Sequence, residues 1–281
     1  MANMTIMYKA FQTQFQAPGH WGSRLPLPQS NTEAAKQARC AAVMAVIARL
    51  FTDIIFQPTH LISSQGEMKQ LLVRQARSHP SKEACFRASL LALLPDEQEI
   101  ASSVVINTAC TKIMASVSGL LSNDGRARFR KVLQDIAEDA SDVWREVCSL
   151  EECVELSFEL SHYKDWSWRH LSFQSGLLQM PELHPYPAAG DDEVLFVVFP
   201  RAFSISDPQE DYPETHGALL MASQTVKARE EVECLRSNRG HGRIMSFLDR
   251  PTRSRRLSAR QNSTGDGPSD TPFLRASSGT S

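Results

Sequence analysis

No nucleophile elbow of the G-x-S-x-G type, no P-loop, no G-x-G-x-x-G run after a strand and no H-E-x-x-H pair occurs in the chain. Each of those spacings places reacting groups with little help from the rest of a fold. Their absence removes the hydrolase, nucleotide-phosphate, dinucleotide and zinc-peptidase classes that depend on them. A catalytic site assembled from scattered residues is left open. An apolar leader is missing as well: the opening MANMTIMYKAFQTQFQ has no continuous hydrophobic segment of the secretory kind. Acids are absent before Glu33, as in a mitochondrial presequence, but Lys9 and Arg24 are the only strong bases there. Import is not expected. The most apolar stretch, Cys40 to Phe56, is interrupted by Arg49 and Asp53. A bilayer requires about 20 predominantly apolar residues, so this stretch predicts a core helix and no membrane partner.

What is present is enough for a folded body. Of 281 residues, 42% are hydrophobic and 22% charged, which rules out disorder of the chain as a whole. The six cysteines are Cys40, Cys85, Cys110, Cys148, Cys153 and Cys234. Four fall inside apolar helical patterns, where a thiol behaves as a small hydrophobe. Without a signal peptide, this predicts a reducing compartment, cytoplasmic or nuclear. Charge is segregated: residues 236–281 carry nine Arg and three Asp, a balance of +6, which leaves −8 for the rest of a chain whose formal net charge is −2. An acidic body with a basic tail is the clearest electrostatic feature.

Periodicity predicts a mainly α fold: an antiparallel bundle of about five helices, an extended aromatic strap, a small β-hairpin and a C-terminal helix. Residues 1–30, Gln-rich and then Pro-rich, read as a flexible leader. Residues 31–236 read as the helical domain, and 237–281 as a disordered Arg-rich tail. Ser30 with Glu33 forms a capping box for the first helix, whose face is Val43, Val46, Ile47, Leu50 and Ile54. A second helix follows Ser64 and stops at His79-Pro80. A third runs from Ser81 to Leu94. Asp96 with Glu99 opens a fourth, with the stripe Ile106, Cys110, Ile113, Val117 and Leu120. After a turn at Ser122-Asn123-Asp124-Gly125, a fifth helix is expected to bury Phe129, Val132, Leu133, Ile136, Ala140, Val143, Trp144 and Val147. Short connections between such helices favour antiparallel neighbours. Val154, Leu156, Phe158 and Leu160 then alternate with polar residues, the period of an extended segment with one buried face. With Tyr163, Trp166, Trp168 and Phe173 this segment reads as a strap lying in a helical groove. VLFVVF at 194–199 and ALLMA at 218–222 read as paired strands, and a last helix is expected from Thr225 to Arg236.

The segments RCAAVMAVIARLFTDIIFQPTHL (39–61), SFELSHYKDWSWRHLSF (157–173), LFVVFPRAF (195–203) and HGALLMASQT (216–225) resemble a family of filamentous-fungal proteins with no assigned function. The resemblance covers about residues 36–235 as a pattern of structural segments. It implies a helical domain in an intracellular fungal setting, and it carries no activity, cofactor or catalytic residue.

Candidate chemistry is sparse. Cys148, Cys153, His162 and His170 are two thiols and two imidazoles, a donor set suited to tetrahedral zinc. Their spacing, C-x4-C-x8-H-x7-H, is wider than that of compact zinc sites, and the preferred reading is that Cys148 packs beside Trp144 while His162 and His170 sit in an exposed strap. Asp135, Glu138, Asp139, Asp142 and Glu146 form an acidic stripe that reads as the solvated side of a helix, with Lys131 available to pair with Asp135. Arg126, Arg128 and Arg130 crowd the start of that helix. Bases first and acids last both oppose the helix macrodipole, by about 0.3–1 kcal/mol per charge. Such a cluster receives either an anion or neighbouring acids of the body. In the tail, Arg255 and Arg256 stand three and two positions before Ser258, the spacing of a basophilic kinase site, and Arg253 precedes them. Phosphorylation there would add about −1.5 to −2 charges. The same arginines could contact nucleic acid, an acidic partner or the body itself. The expected function is a non-enzymatic interaction or scaffold domain that binds another protein and needs no cofactor. The alternatives are a regulatory protein bound to nucleic acid through its tail, and an enzyme of scattered residues.

Overall fold

The computed structural model describes residues 23–59, 65–150, 152–160, 168–173, 182–185, 192–205 and 214–245. It is mostly helical, with strands in small sheets. Six α-helices occur among the described residues: α1 (Glu33–Ile54), α2 (Gln65–Ser78), α3 (Pro80–Leu93), α4 (Pro95–Val117), α5 (Asn123–Cys148) and α6 (Val226–Met245). The strands are β1 (Val154–Ser157), β2 (Trp168–Ser172), β3 (Glu182–Pro185), β4 (Val194–Phe199), β5 (Arg201–Ser204) and β6 (Gly217–Met221). The chain divides into two units, residues 1–238 and 239–281. Helices α1 to α5 and strands β1 to β6 belong to the first unit.

Helix boundaries follow local chemistry, with shifts. Thr32, not Ser30, caps α1, its hydroxyl accepting from the Ala35 N–H at 3.3 Å. Ser30 instead donates to Glu231 on α6 at 2.5 Å. Pro80 and Pro95 open α3 and α4 from their first turns, where a missing N–H costs nothing. Asp96 therefore lies inside the first turn of α4, and no side-chain cap precedes it. The expected turn at Ser122–Gly125 is the first turn of α5: Ser122 caps the helix by accepting from Gly125 N–H at 3.1 Å. The last helix overruns Arg236, so the boundary expected between domain and tail falls inside α6. Residues 246–281 lie outside the described residues.

The flexible leader expected over residues 1–30 ends early. Leu25, Pro26, Leu27 and Pro28 are all buried, and Leu25 and Leu27 belong to the main core with α1, α4 and α5. Arg39 fixes the segment by donating to the carbonyls of Pro28 (3.1 Å) and Ser30 (2.9 Å). A Pro-rich stretch without internal hydrogen bonds needs such outside donors once it leaves water. Leu27→Ala is expected to cost about 2–5 kcal/mol of stability, the range for truncating a buried leucine. A chemical denaturation midpoint unchanged from wild type would contradict this docking.

The strap and hairpin resolve into two sheets. β1 pairs antiparallel with β5, from Val154 opposite Ser204 to Ser157 opposite Arg201. The second sheet has the order β3-β2-β6-β4, with β2 and β6 parallel and the other pairs antiparallel. Trp168 to Ser172, expected in a strap, is thus an interior strand of that sheet. The 194–199 and 218–222 segments do pair, but as half of four strands. Alternate residues of β6 serve different layers. Ala218 and Leu220 join the main core beneath α1, while Leu219 and Met221 join Trp168, Val197, Phe158 and Leu160 on the opposite face. A strand covered on both faces has no polar side, which is why it reads as an unbroken apolar run.

Candidate functional site

α4 and α5 run antiparallel. The Ser102 and Ser141 hydroxyls share a buried hydrogen bond of 2.7 Å, and further along Cys110 donates to the Leu133 carbonyl at 3.9 Å, so numbers rise along one helix as they fall along the other. The buried faces are Ile106, Ala109, Cys110, Ile113 and Val117 on α4, and Leu133, Ala137, Ser141, Trp144 and Cys148 on α5. Together with its following 3-10 turn, α4 is long and apolar enough by composition to cross a membrane. Here it packs on α1 and α5, which places part of that apolarity in the core.

The rest faces outward. On α4, Ile100 and Val104 are 68% and 61% exposed; on α5, Val132, Ile136 and Val143 are 49%, 47% and 61% exposed. Helical spacing alone assigns the three α5 residues to the core, and the structure corrects this. The apolar arc of α5 is wider than α4 and the rest of the body cover, so one flank is left in water. For α4 the sequence carries a signal: from Ile100 to Asn123 the only charged residue is Lys112. Scattered exposed apolars are ordinary, whereas an apolar row along one side of a helix, as Val132, Ile136 and Val143 form on α5, marks a contact surface.

The described candidate metal ligands belong to different elements. Cys148 ends α5, Cys153 precedes β1, and His170 lies within β2; His162 is outside the described residues. No group of three or more His, Cys, Asp or Glu among the described residues is placed to hold a metal ion. Cys148 and Trp144 both donate to the Gln57 carbonyl, at 3.5 and 2.7 Å, which ties the end of α5 to the loop after α1. Burial pushes the Cys148 thiol up to about 12 and the Cys153 thiol up to about 11, against the opposite pull of the Arg87 charge. Both are therefore protonated at neutral pH, and thiolate ligation or nucleophilic attack would first have to overcome desolvation. Iodoacetamide at neutral pH is expected to modify the exposed Cys40, Cys85 and Cys234 while sparing Cys148 and Cys153 until the protein unfolds. Peptide mapping that finds Cys148 labelled in the native state as fast as Cys234 would contradict this.

Beside these thiols is a cavity of about 530 Å³, lined by Pro80, Ala84, Cys85, Leu150, Glu152 and Cys153. Its carboxylate is engaged, because Glu152 accepts from the Ser204 hydroxyl at 2.9 Å. Behind it, Glu83 and Arg87 form a fully buried i, i+4 ion pair at 2.9 Å. Arg87 also donates to the carbonyls of Cys148 and Glu152, closing the C-terminal end of α5. The pair acts as a clasp between α3 and the chain leaving α5.

The basic cluster sits as expected in the first turns of α5, with Arg126 half-buried and Arg128 and Arg130 exposed. The acidic stripe is exposed in the same helix. The anticipated pairing of Lys131 with Asp135 does not form. Within the stripe only Asp142 has an ion-pair partner among the described residues, Arg145 at 2.8 Å. Arg253, Arg255, Arg256 and Ser258 lie outside the described residues. Comparison with protein-family models, with curated proteins and with solved structures returned no match.

Proposed function

We propose that the folded body is a non-enzymatic interaction domain that binds another protein, built on a bundle-like packing of α1 to α5 and followed by a basic tail phosphorylated at Ser258. The observation that carries this reading is the apolar surface left on α4 and α5 by Ile100, Val104, Val132, Ile136 and Val143. Leaving such groups in water forgoes about 25 cal/mol per Å² of burial, a reserve that association recovers. The buried ionisable groups support the same reading, since Glu83, Arg87 and Cys148 are engaged in holding elements together.

Proximity labelling in the native cell tests it. The full chain is compared with an Ile100→Asp/Val104→Asp variant, whose fold is checked by circular dichroism. Loss of the labelled neighbours supports the reading, and an unchanged set sinks it. Substrate turnover by the purified protein would also sink it. A second reading, binding of nucleic acid through the tail, is favoured by the charge segregation of +6 against −8. Equal binding by the full chain and by a chain ending at Met245 would remove it.

A further inference from the structure

We propose that the exposed flank of α5 is the contact surface for a second copy of this chain, joined to it antiparallel about a two-fold axis. This rests on the interaction reading above and names one occupant for part of that surface. The apolar residues of the flank are Val132, Ile136 and Val143, at i, i+4 and i+11, which places them on one side of the helix. Beside them, on the solvent side, the same helical spacing aligns Arg128, Asp135, Asp139 and Glu146, with Lys131 and Asp142 one step further out. All six are exposed, and among the described residues Arg128, Lys131, Asp135, Asp139 and Glu146 take part in no ion pair. Bases occupy one end of this row and acids the other, each at the wrong end for the helix's own dipole.

An antiparallel two-fold arrangement supplies what the isolated helix lacks. With the axis in the contact plane and crossing α5 between Ala137 and Glu138, the same flank of both copies meets. Val132 of one copy then faces Val143 of the other, and Arg128 stands within one residue's rise, about 1.5 Å, of the level of the opposing Glu146. Lys131 reaches the level between Asp142 and Glu146. Symmetry makes every such pair occur twice. A parallel pairing would send the charged rows to opposite sides and neutralise nothing. One contact opposes the arrangement: Asp139 of each copy falls near Asp135 of the other, close to the axis. That conflict gives the test a second sign.

The experiment is sedimentation of the full-length protein over a concentration series, at low and moderate salt. Wild type is expected to dimerise, and more weakly as salt screens the pairs. Val132→Asp with Val143→Asp is expected to be monomeric with an unchanged circular dichroism spectrum. Arg128→Glu and Glu146→Arg are each expected to weaken the dimer about tenfold, since each converts two attractions into two repulsions. The two reversals in one chain restore it, and Asp139→Asn strengthens it. Wild type that stays monomeric at every concentration overturns the proposal. So does a dimer that the Arg128→Glu/Glu146→Arg combination fails to restore. Either result leaves the interaction reading to its own labelling experiment.

Discussion

Arg87→Ala is expected to destabilise the protein by about 3–5 kcal/mol, the range for breaking a buried ion pair by removing one partner. For a domain of this size each kcal/mol moves the midpoint by about 2–4 °C, so thermal unfolding should begin roughly 10 °C lower. The reason lies in what the guanidinium leaves behind. Glu83 has no exposed side-chain surface, and without Arg87 its charge is buried without a partner. The carbonyls of Cys148 and Glu152 lose their donor at the same time. These two losses can be told apart. Glu83→Leu combined with Arg87→Met removes both charges, and should recover much of the deficit while still leaving the carbonyls unsatisfied, at about 1–3 kcal/mol. A single Arg87→Ala variant within about 1 kcal/mol of wild type would mean that water reaches the pair and that it is no clasp.

Gly217→Ala should be nearly as damaging, although it adds a single methyl group. A Cβ at position 217 would lie 2.2 and 2.5 Å from two carbons of the Trp168 ring, closer than any non-bonded carbons approach. The ring has no exposed surface and no room to retreat, with Arg201 over it at 5.4 Å and Val197, Leu219 and Met221 around it. Overpacking of this kind costs about 1–3 kcal/mol and occasionally more. Here relief requires shifting an interior strand, which places the cost at the upper end. Trp168→Leu, damaging by itself because it empties a large site, should be less damaging in the Gly217→Ala background than in wild type. Strictly additive effects in that cycle would show that the two positions do not touch.

The helices are legible in the sequence because their signals are local. Pro80 and Pro95 mark starts whatever the fold, and the face Ile106, Cys110, Ile113 and Val117 is a property of spacing alone. The departures share a different origin. Leu25 and Leu27 read as a leader because a Pro-rich segment has no period, and only the core assembled from distant helices and strands determines that it is buried. The 154–160 segment has a true strand period, but its partner, Arg201–Ser204, is more than forty residues away. Trp168 to Ser172 reads as a strap since pairing with Gly217 and Glu182 is invisible along the chain. Val132, Ile136 and Val143 read as core because amphipathicity reports which residues are apolar, and not how much of the arc a neighbour covers. Of the candidate metal ligands, the two cysteines are near each other in sequence and at one end of α5, while His170 belongs to a sheet whose order no spacing encodes.

What the chain's sequence determined on its own is the helical content, the approximate ends of α1 to α5, and the separation of an acidic body from a basic tail. Those properties depend on turn chemistry, residue period and the sum of charges, all additive along a chain. Strand order, the burial of Leu25 and Leu27, the Glu83–Arg87 clasp and the uncovered flank of α5 were decided only in three dimensions. Each depends on which distant surface arrives to exclude water, and exclusion of water belongs to the assembled shape.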